Sequence, residues 1–318
     1  MIKYEHVGKK YGDQIILDDI SFQVNEGELF VLVGPSGSGK TTLLKMYNRL
    51  VEPTSGEIFC HGENIAKIGL RTLRKNAGYV LQSASLFPNL TVGENITIAL
   101  DNKKSKAEKV KLQRELLELV KMDPDKYLDR YPADLSGGEQ QRVGIVRAMA
   151  TEPPVILMDE SFSALDPVVR KQLQDLLLDL HKNSKVTIMF VTHDMQEAVR
   201  LGDRIAIIHE GHLEQIGKPR EILHHPATDF VKSFFASSGT SRSFDLESVL
   251  KGDLGVDPRF YPKTDTLPHY HVYSMNDLVK DCSNHPDSLF IAETEFGDFL
   301  IEPKRVWKFL LKRVVDND

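Results

Sequence analysis

The sequence predicts an α/β fold: a largely parallel sheet covered by helices, with a helical subdomain inserted in it and a small α+β unit behind it. Three observations carry this expectation. Apolar runs of strand length recur at Glu28 to Val33, Ala77 to Leu81, Val155 to Met158, Val186 to Val191 and Arg204 to Ile208. Helical patterns lie between several of them, as a parallel sheet with crossover helices requires. The first run opens directly into the glycine-rich GPSGSGKTT and then the helical stretch TTLLKMYNRL, which makes a strand, loop and helix unit. From about Leu86 to Ala150 the pattern changes, because the charged helical segment Lys104 to Lys121 has no comparably apolar strand beside it. That stretch reads as the inserted helical subdomain.

The 318 residues suffice for two domains of about 150 residues each, or for one large domain with an appendage. Residues 1–236 read as the large domain, the small polar SSGTSRS at 237–243 as a linker, and 244–318 as the second unit. With 41% hydrophobic and 27% charged residues, the chain is neither collagenous nor disordered. No apolar run approaches the roughly 18 residues of a membrane-spanning helix. The opening MIKYEHVGKKYG lacks the apolar centre of a secretory signal, and Cys60 and Cys282 have no metal-ligand spacing. A reducing cytoplasm is the expected compartment. The formal charge of −6 disfavours the nucleic-acid backbone as a partner. From Thr240 onward there are 10 Lys and Arg against 14 Asp and Glu, so the second unit is the more acidic part.

Gly34, Gly39, Lys40 and Thr41 satisfy G-x-x-x-x-G-K-[ST], the phosphate-binding loop. Glycines let successive backbone N–H groups curl around phosphate oxygens, and the following helix presents its positive end to the anion. In such a loop Lys40 reaches the β and γ phosphates and the Thr41 hydroxyl coordinates Mg²⁺. Further on, VILMDE, Val155 to Glu160, is an apolar strand ending in two carboxylates. Asp159 would hold Mg²⁺ through water, and Glu160 would stand where a general base polarises the attacking water.

Leu135 to Arg142, LSGGEQQR, resembles the signature sequence of ABC-type ATPases. Other motifs of that family stand in family order: Tyr11 before the first strands, Gln82 after a strand, SALD from Ser163 to Asp166, and His193 in VTHD. The resemblance covers residues 1 to about 236. It implies a P-loop NTPase fold of the ABC nucleotide-binding type, with ATP and Mg²⁺ as ligands. By that resemblance Gly34, Pro35, Ser36, Gly37, Ser38, Gly39, Lys40, Thr41 and Thr42 bind the phosphates, and Tyr11 stacks on adenine. Gln82 touches Mg²⁺ or its water, alongside Thr41 and Asp159. His193 contacts the γ-phosphate and keeps water and Glu160 in register. Family members pack head to tail, so Ser136, Gly137 and Gly138 would meet the ATP of a second copy, with Asp166 at the interface. Two positions depart from the family wording. Ser161 stands where proline is common, which predicts a more mobile loop, and Glu139 stands where glutamine is common.

Within the family, one nucleotide domain and no sustained heptad pattern argue against the translation and DNA-repair members. Those remain the non-transport alternative. Exporter ATPases usually end soon after the nucleotide domain, so the further stretch of about 80 residues points to an importer with a regulatory tail. The blocks YNRLVEPTSGEI, SLFPNLTVGENI and FVTHDMQEAVRLGDRIAII look most like ATPases of glycine betaine, carnitine and choline uptake. A polar amino acid importer is the second reading. The resemblance implies transmembrane permease subunits as partners, a substrate-binding protein indirectly, and a place at the cytoplasmic face of the membrane.

In the tail, a strand at Tyr270 to Tyr273, a helix from Ser274 to about Ser283, the strands SLFIAE and GDFLIE, and a helix from Pro303 to Val315 are expected. That order resembles one degenerate CBS unit, which would be a regulatory module. On the last helix Trp307, Leu310, Leu311 and Val314 share an apolar face, and Lys304, Lys308 and Lys312 run along another. Such a lysine row could meet anionic lipid headgroups.

Overall fold

A hairpin that the sequence pattern did not mark opens the chain. Strands β1 (Ile2–Tyr11) and β2 (Gln14–Val24) pair antiparallel, with Tyr11 opposite Gln14. Tyr11 therefore ends the first strand instead of preceding it. The computed structural model describes residues 2–100, 105–237, 246–258, 266–272, 275–294 and 296–315. The expected linker beyond Ser237 and the expected tail positions Tyr273 and Ser274 lie outside these. Two units separate by their internal packing, Met1–Phe234 and Phe235–Asp318.

In the first unit β3 (Leu29–Val33) is buried along its whole length. Burying each of its Leu, Phe and Val side chains contributes about 1.5–3 kcal/mol. The glycine loop then leads into α1 (Lys40–Tyr47). Strands β4 (Ser55–Cys60) and β5 (Glu63–Asn64) join the hairpin in a four-stranded sheet of order β2-β1-β4-β5. After α2 (Leu70–Lys75), β6 (Ala77–Val80) enters the second sheet.

The region expected to be helical holds α3 (Val92–Thr97), α4 (Lys106–Leu119), α5 (Pro124–Tyr127) and α6 (Gly137–Met149). Among its described residues there is no strand. Its helix starts are written locally: Thr91 with Glu94, Ser105 with Glu108, and Ser136 with Glu139 each form a capping box. The core resumes with β7 (Val155–Asp159), α7 (Pro167–Ser184), β8 (Thr187–Thr192), α8 (Met195–Leu201), β9 (Arg204–His209) and β10 (His212–Gly217), followed by α9 (Pro219–His224) and α10 (Asp229–Ser237). The sheet order is β10-β9-β3-β8-β7-β6. All its neighbours are parallel except β9 and β10. The ends of β3, β8, β7 and β6 thus share one carboxyl edge, where open α/β sheets bind ligands.

The second unit holds α11 (Leu246–Val249), continued by one π-helical turn, then β11 (His269–His271), α12 (Met275–Asn284), β12 (Phe290–Thr294), β13 (Gly297–Ile301) and α13 (Pro303–Val315). The expected strand at Tyr270 to Tyr273 is displaced, so that Val272 is buried beyond the strand end. Strand β11 runs parallel to β12, and β12 antiparallel to β13. Leu250, Leu278, Cys282, Phe290, Ile301 and Val306 close its core. On α13, Lys304 pairs with Asp287 at 3.2 Å in an exposed ion pair. The side chains of Leu310, Leu311, Lys312 and Val314 lie outside the described residues. No helix among the described residues is long and apolar enough to cross a membrane.

Candidate functional site

The loop after β3 can turn only because of its glycines. A Cβ on Gly34 would stand 2.0 Å from the Ile208 carbonyl oxygen, and Gly39 has a φ of 102° with Leu17 Cδ2 2.5 Å from where its Cβ would be. The wound loop receives Lys40, which is 3% exposed. Its Nζ donates to Pro35 O at 2.7 Å and to Ser38 Oγ at 3.3 Å. Burial pushes the Lys40 ammonium below its ordinary range, and the carboxylates of Glu160 and Asp159 pull it partly back.

Next to Lys40, the Thr41 hydroxyl donates to Asp159 Oδ1 at 2.7 Å, and the Tyr79 hydroxyl donates to Asp159 Oδ2 at 3.3 Å. Asp159 is the last residue of β7 and only 8% exposed. Burial first, and then Asp159 itself, pushes the Tyr79 phenol well above its ordinary range, so it serves as a donor. A carboxylate and a hydroxyl meeting at a buried strand end are oxygen donors that suit Mg²⁺.

Glu160 follows with a φ of 45°, a conformation that costs a non-glycine residue of order 1–3 kcal/mol. Its N–H donates to Val191 O at 3.0 Å, which binds the turn to β8. His193, one residue past β8, places Nδ1 3.1 Å from Glu160 Oε2. Ser163 Oγ donates to Glu160 O at 2.9 Å and accepts from Gln82 Nε2 at 3.2 Å. Gln82 therefore reaches this group through Ser163, not through Thr41 or Asp159. Ser161 is 1% exposed, and Phe162 behind it is fully buried against Phe190. The loop expected to be more mobile without proline is buried at these two positions.

Tyr11 is 55% exposed. Lys9 Nζ stands 4.7 Å from its ring centre and is itself fixed by donating to Glu52 O at 2.7 Å. Ser136 is the N-cap of α6, with Gly137 and Gly138 in its first turn. Asp166 caps α7 by accepting from Val168 N at 3.1 Å and Val169 N at 3.0 Å.

The sequence reading missed several residues around the site. Tyr79 carried no signal beyond its place in a strand. Gln141 donates to Leu81 O at 3.2 Å, and Arg147 donates to Ala84 O and Ser85 O at 2.8 Å each. These two fasten the Gln82 loop to α6, and no local pattern could have announced a pairing with carbonyls some 60 positions away.

A core strand that feeds a glycine loop and a helix, with carboxylates ending a neighbouring parallel strand, defines a phosphate-loop nucleotide-binding protein. Residues 17–163 match the family pattern described as ABC transporter. The chain is 48% identical over 252 residues to a glycine betaine/carnitine/choline transport ATP-binding protein, OpuCA, of Bacillus subtilis, covering 78% of this chain and 66% of that protein. It is 45% identical over 257 residues to the osmoprotectant import ATP-binding protein OsmV of Salmonella typhimurium, covering 78% and 67%. The aligned part thus spans about two thirds of these relatives. A dimeric post-hydrolysis structure of the ATP-binding cassette MJ0796, bound to ADP and Pi, is similar with a TM-score of 0.61 and 34% identity, over 69% of this chain and 99% of that one. The chain belongs to the family of ABC transporter ATP-binding proteins.

Proposed function

We propose that this protein is the ATPase subunit of an importer for quaternary amine osmoprotectants of the glycine betaine, carnitine and choline kind. ATP lies with its phosphates in the loop from Gly34 to Thr42 and its adenine on Tyr11. Thr41 and Asp159, with Gln82 nearby, would hold Mg²⁺, which would supply positive charge beside the phosphates. Lys40 binds the β and γ phosphates, Glu160 orients the attacking water, and His193 keeps Glu160 in place. Ser136, Gly137 and Gly138 of a second copy close over the γ-phosphate, with Asp166 at that junction. Closure and reopening drive the permease subunits at the cytoplasmic face of the membrane. A relative's structure described as dimeric supports this assembly.

The observation that carries the hydrolytic reading is the 3.1 Å approach of His193 to Glu160 beside the loop that buries Lys40. The substrate reading rests on the likeness to relatives named for betaine, carnitine, choline and osmoprotectant transport. Nothing in the site favours a polar amino acid importer or a soluble ATPase. We assign residues 1–236 to the ATPase domain, 237–243 to a linker and 244–318 to a regulatory domain. The tail order β11, α12, β12, β13, α13 supports a single CBS-like unit.

The test is uptake of radiolabelled glycine betaine at high osmolarity in a host lacking this protein, with its other betaine importers removed and a polar amino acid as control. Betaine uptake should be lost and restored by the wild-type chain but not by Glu160→Gln. Intact betaine uptake with lost amino acid uptake would overturn the substrate assignment.

A further inference from the structure

The signature turn is joined to a second, smaller network. Tyr127, the last residue of α5, donates from its hydroxyl to Glu139 Oε1 at 2.5 Å. The other oxygen of that carboxylate, Oε2, accepts from Ser136 Oγ and from Ser136 N, both at 2.8 Å. Glu139 N in turn donates to Ser136 Oγ at 3.4 Å. Two cations flank the tyrosine: Lys126 Nζ lies 5.1 Å and the Arg130 guanidinium 4.9 Å from its ring centre. The tyrosine hydrogen bond, more than any other contact, holds the Glu139 carboxyl below its ordinary range, so the group is a carboxylate.

A serine hydroxyl has one proton to give. Here it is directed at Glu139, and a carboxylate can only accept. Towards solvent Ser136 is left with a lone pair, and beside it stands a negative charge. Neither suits an arriving phosphate, which needs donors and repels anions. Glutamine at this position would remove the charge.

We propose that Glu139 acts as a latch on Ser136, with Tyr127 tempering it, and that the pair sets the ATP concentration at which two copies close. The proposal rests on the reading that Ser136 caps the ATP of the other copy. For closure the hydroxyl turns its proton from Glu139 Oε2 to a phosphate oxygen. The Tyr127 hydroxyl draws charge away from that carboxylate, so it weakens the hold on the serine and the repulsion of the phosphate. Tyr127 and Glu139 are positioning residues; they act through Ser136.

The experiment measures ATP-driven dimerisation of the full chain by light scattering, in a Glu160→Gln background that keeps the nucleotide uncleaved. The same substitutions are also followed by steady-state turnover with Glu160 intact. Glu139→Gln should lower the half-maximal ATP concentration about three- to tenfold, the scale by which a charge-assisted hydrogen bond exceeds a neutral one, and lower KM with kcat nearly unchanged. Tyr127→Phe should raise the half-maximal concentration about threefold, and should do nothing once Glu139→Gln is present. An unchanged midpoint in Glu139→Gln, or an equal shift by Tyr127→Phe in both backgrounds, would overturn the latch. Ser136→Ala separates the two levels. If it dimerises like its parent, the capping role of Ser136 falls and the latch with it. If it fails to dimerise while Glu139→Gln moves nothing, the latch alone falls.

Discussion

The two halves of the site are built on opposite terms. On the phosphate-loop half, Ser38, Lys40 and Asp159 are buried at the edge of the large sheet, and each polar atom has its partner a few ångströms away in the same cluster. On the signature half, Ser136 and Gly137 are exposed at the start of a helix, and the serine is closed off by its own turn. The first half can grip a nucleotide within one chain, because its geometry is fixed by strands that cannot shift without opening the core. The second is a surface turn whose serine proton and N–H are both directed at Glu139. Preorganisation by burial thus marks the first half, and an exposed, self-bonded helix start marks the second.

That contrast is broken most strongly by removing chemistry from the buried half. Glu160→Gln should reduce ATP turnover by about 10²–10⁴-fold, the range for a general base, while nucleotide binding persists. Phosphate release under saturating ATP and Mg²⁺ measures the first, and equilibrium binding of a labelled ATP the second. Near-normal turnover would remove Glu160 from its role. Gly39→Ala comes next. With a φ of 102° and Leu17 Cδ2 2.5 Å from the new methyl carbon, it should strain the loop by about 1–3 kcal/mol and weaken ATP binding by about tenfold. Unchanged affinity would mean that the loop can rewind. Tyr11→Ala sharpens the comparison from the exposed rim of the same half. Loss of base stacking, roughly 1–3 kcal/mol, should weaken ATP binding, whereas affinity for inorganic triphosphate should stay constant. A parallel loss for triphosphate would point to collapse of β1 instead.

The sequence made the buried half legible because its chemistry and its fold obey the same short-range rules. The loop needs glycine at Gly34 and Gly39, the strand before it is continuously apolar, and the carboxylates Asp159 and Glu160 end another such strand. The sheet order placing β8 between β3 and β7 was not legible, since it depends on long-range pairing. Nor was the opening hairpin, whose strands β1 and β2 alternate buried and exposed residues unevenly across several register shifts. The links Tyr79 to Asp159, Gln141 to Leu81 and Tyr127 to Glu139 join residues 80, 60 and 12 positions apart. No periodicity encodes them. In the tail the helix Pro303–Val315 stands where it was expected, while the first strand is found at His269–His271, because YHVY is short and its register is set by pairing with β12.

Asp166 gives the smallest effect and the finest distinction. Its carboxylate accepts from Val168 N and Val169 N, so one role is internal: it caps a helix of 18 residues. The proposed role at the junction with a second copy is external and depends on charge as well as shape. Asparagine is as good a cap as aspartate, and alanine is a poor one. Asp166→Ala should therefore cost about 1 kcal/mol, a fall in Tm of roughly 2–4 °C for a unit of this size. Asp166→Asn should leave Tm nearly unchanged. If the carboxylate serves only as a cap, Asp166→Asn should also dimerise with ATP like the parent. If it meets the other copy, Asp166→Asn should keep its stability yet require more ATP to close, a separation that thermal unfolding and light scattering on the same sample would reveal.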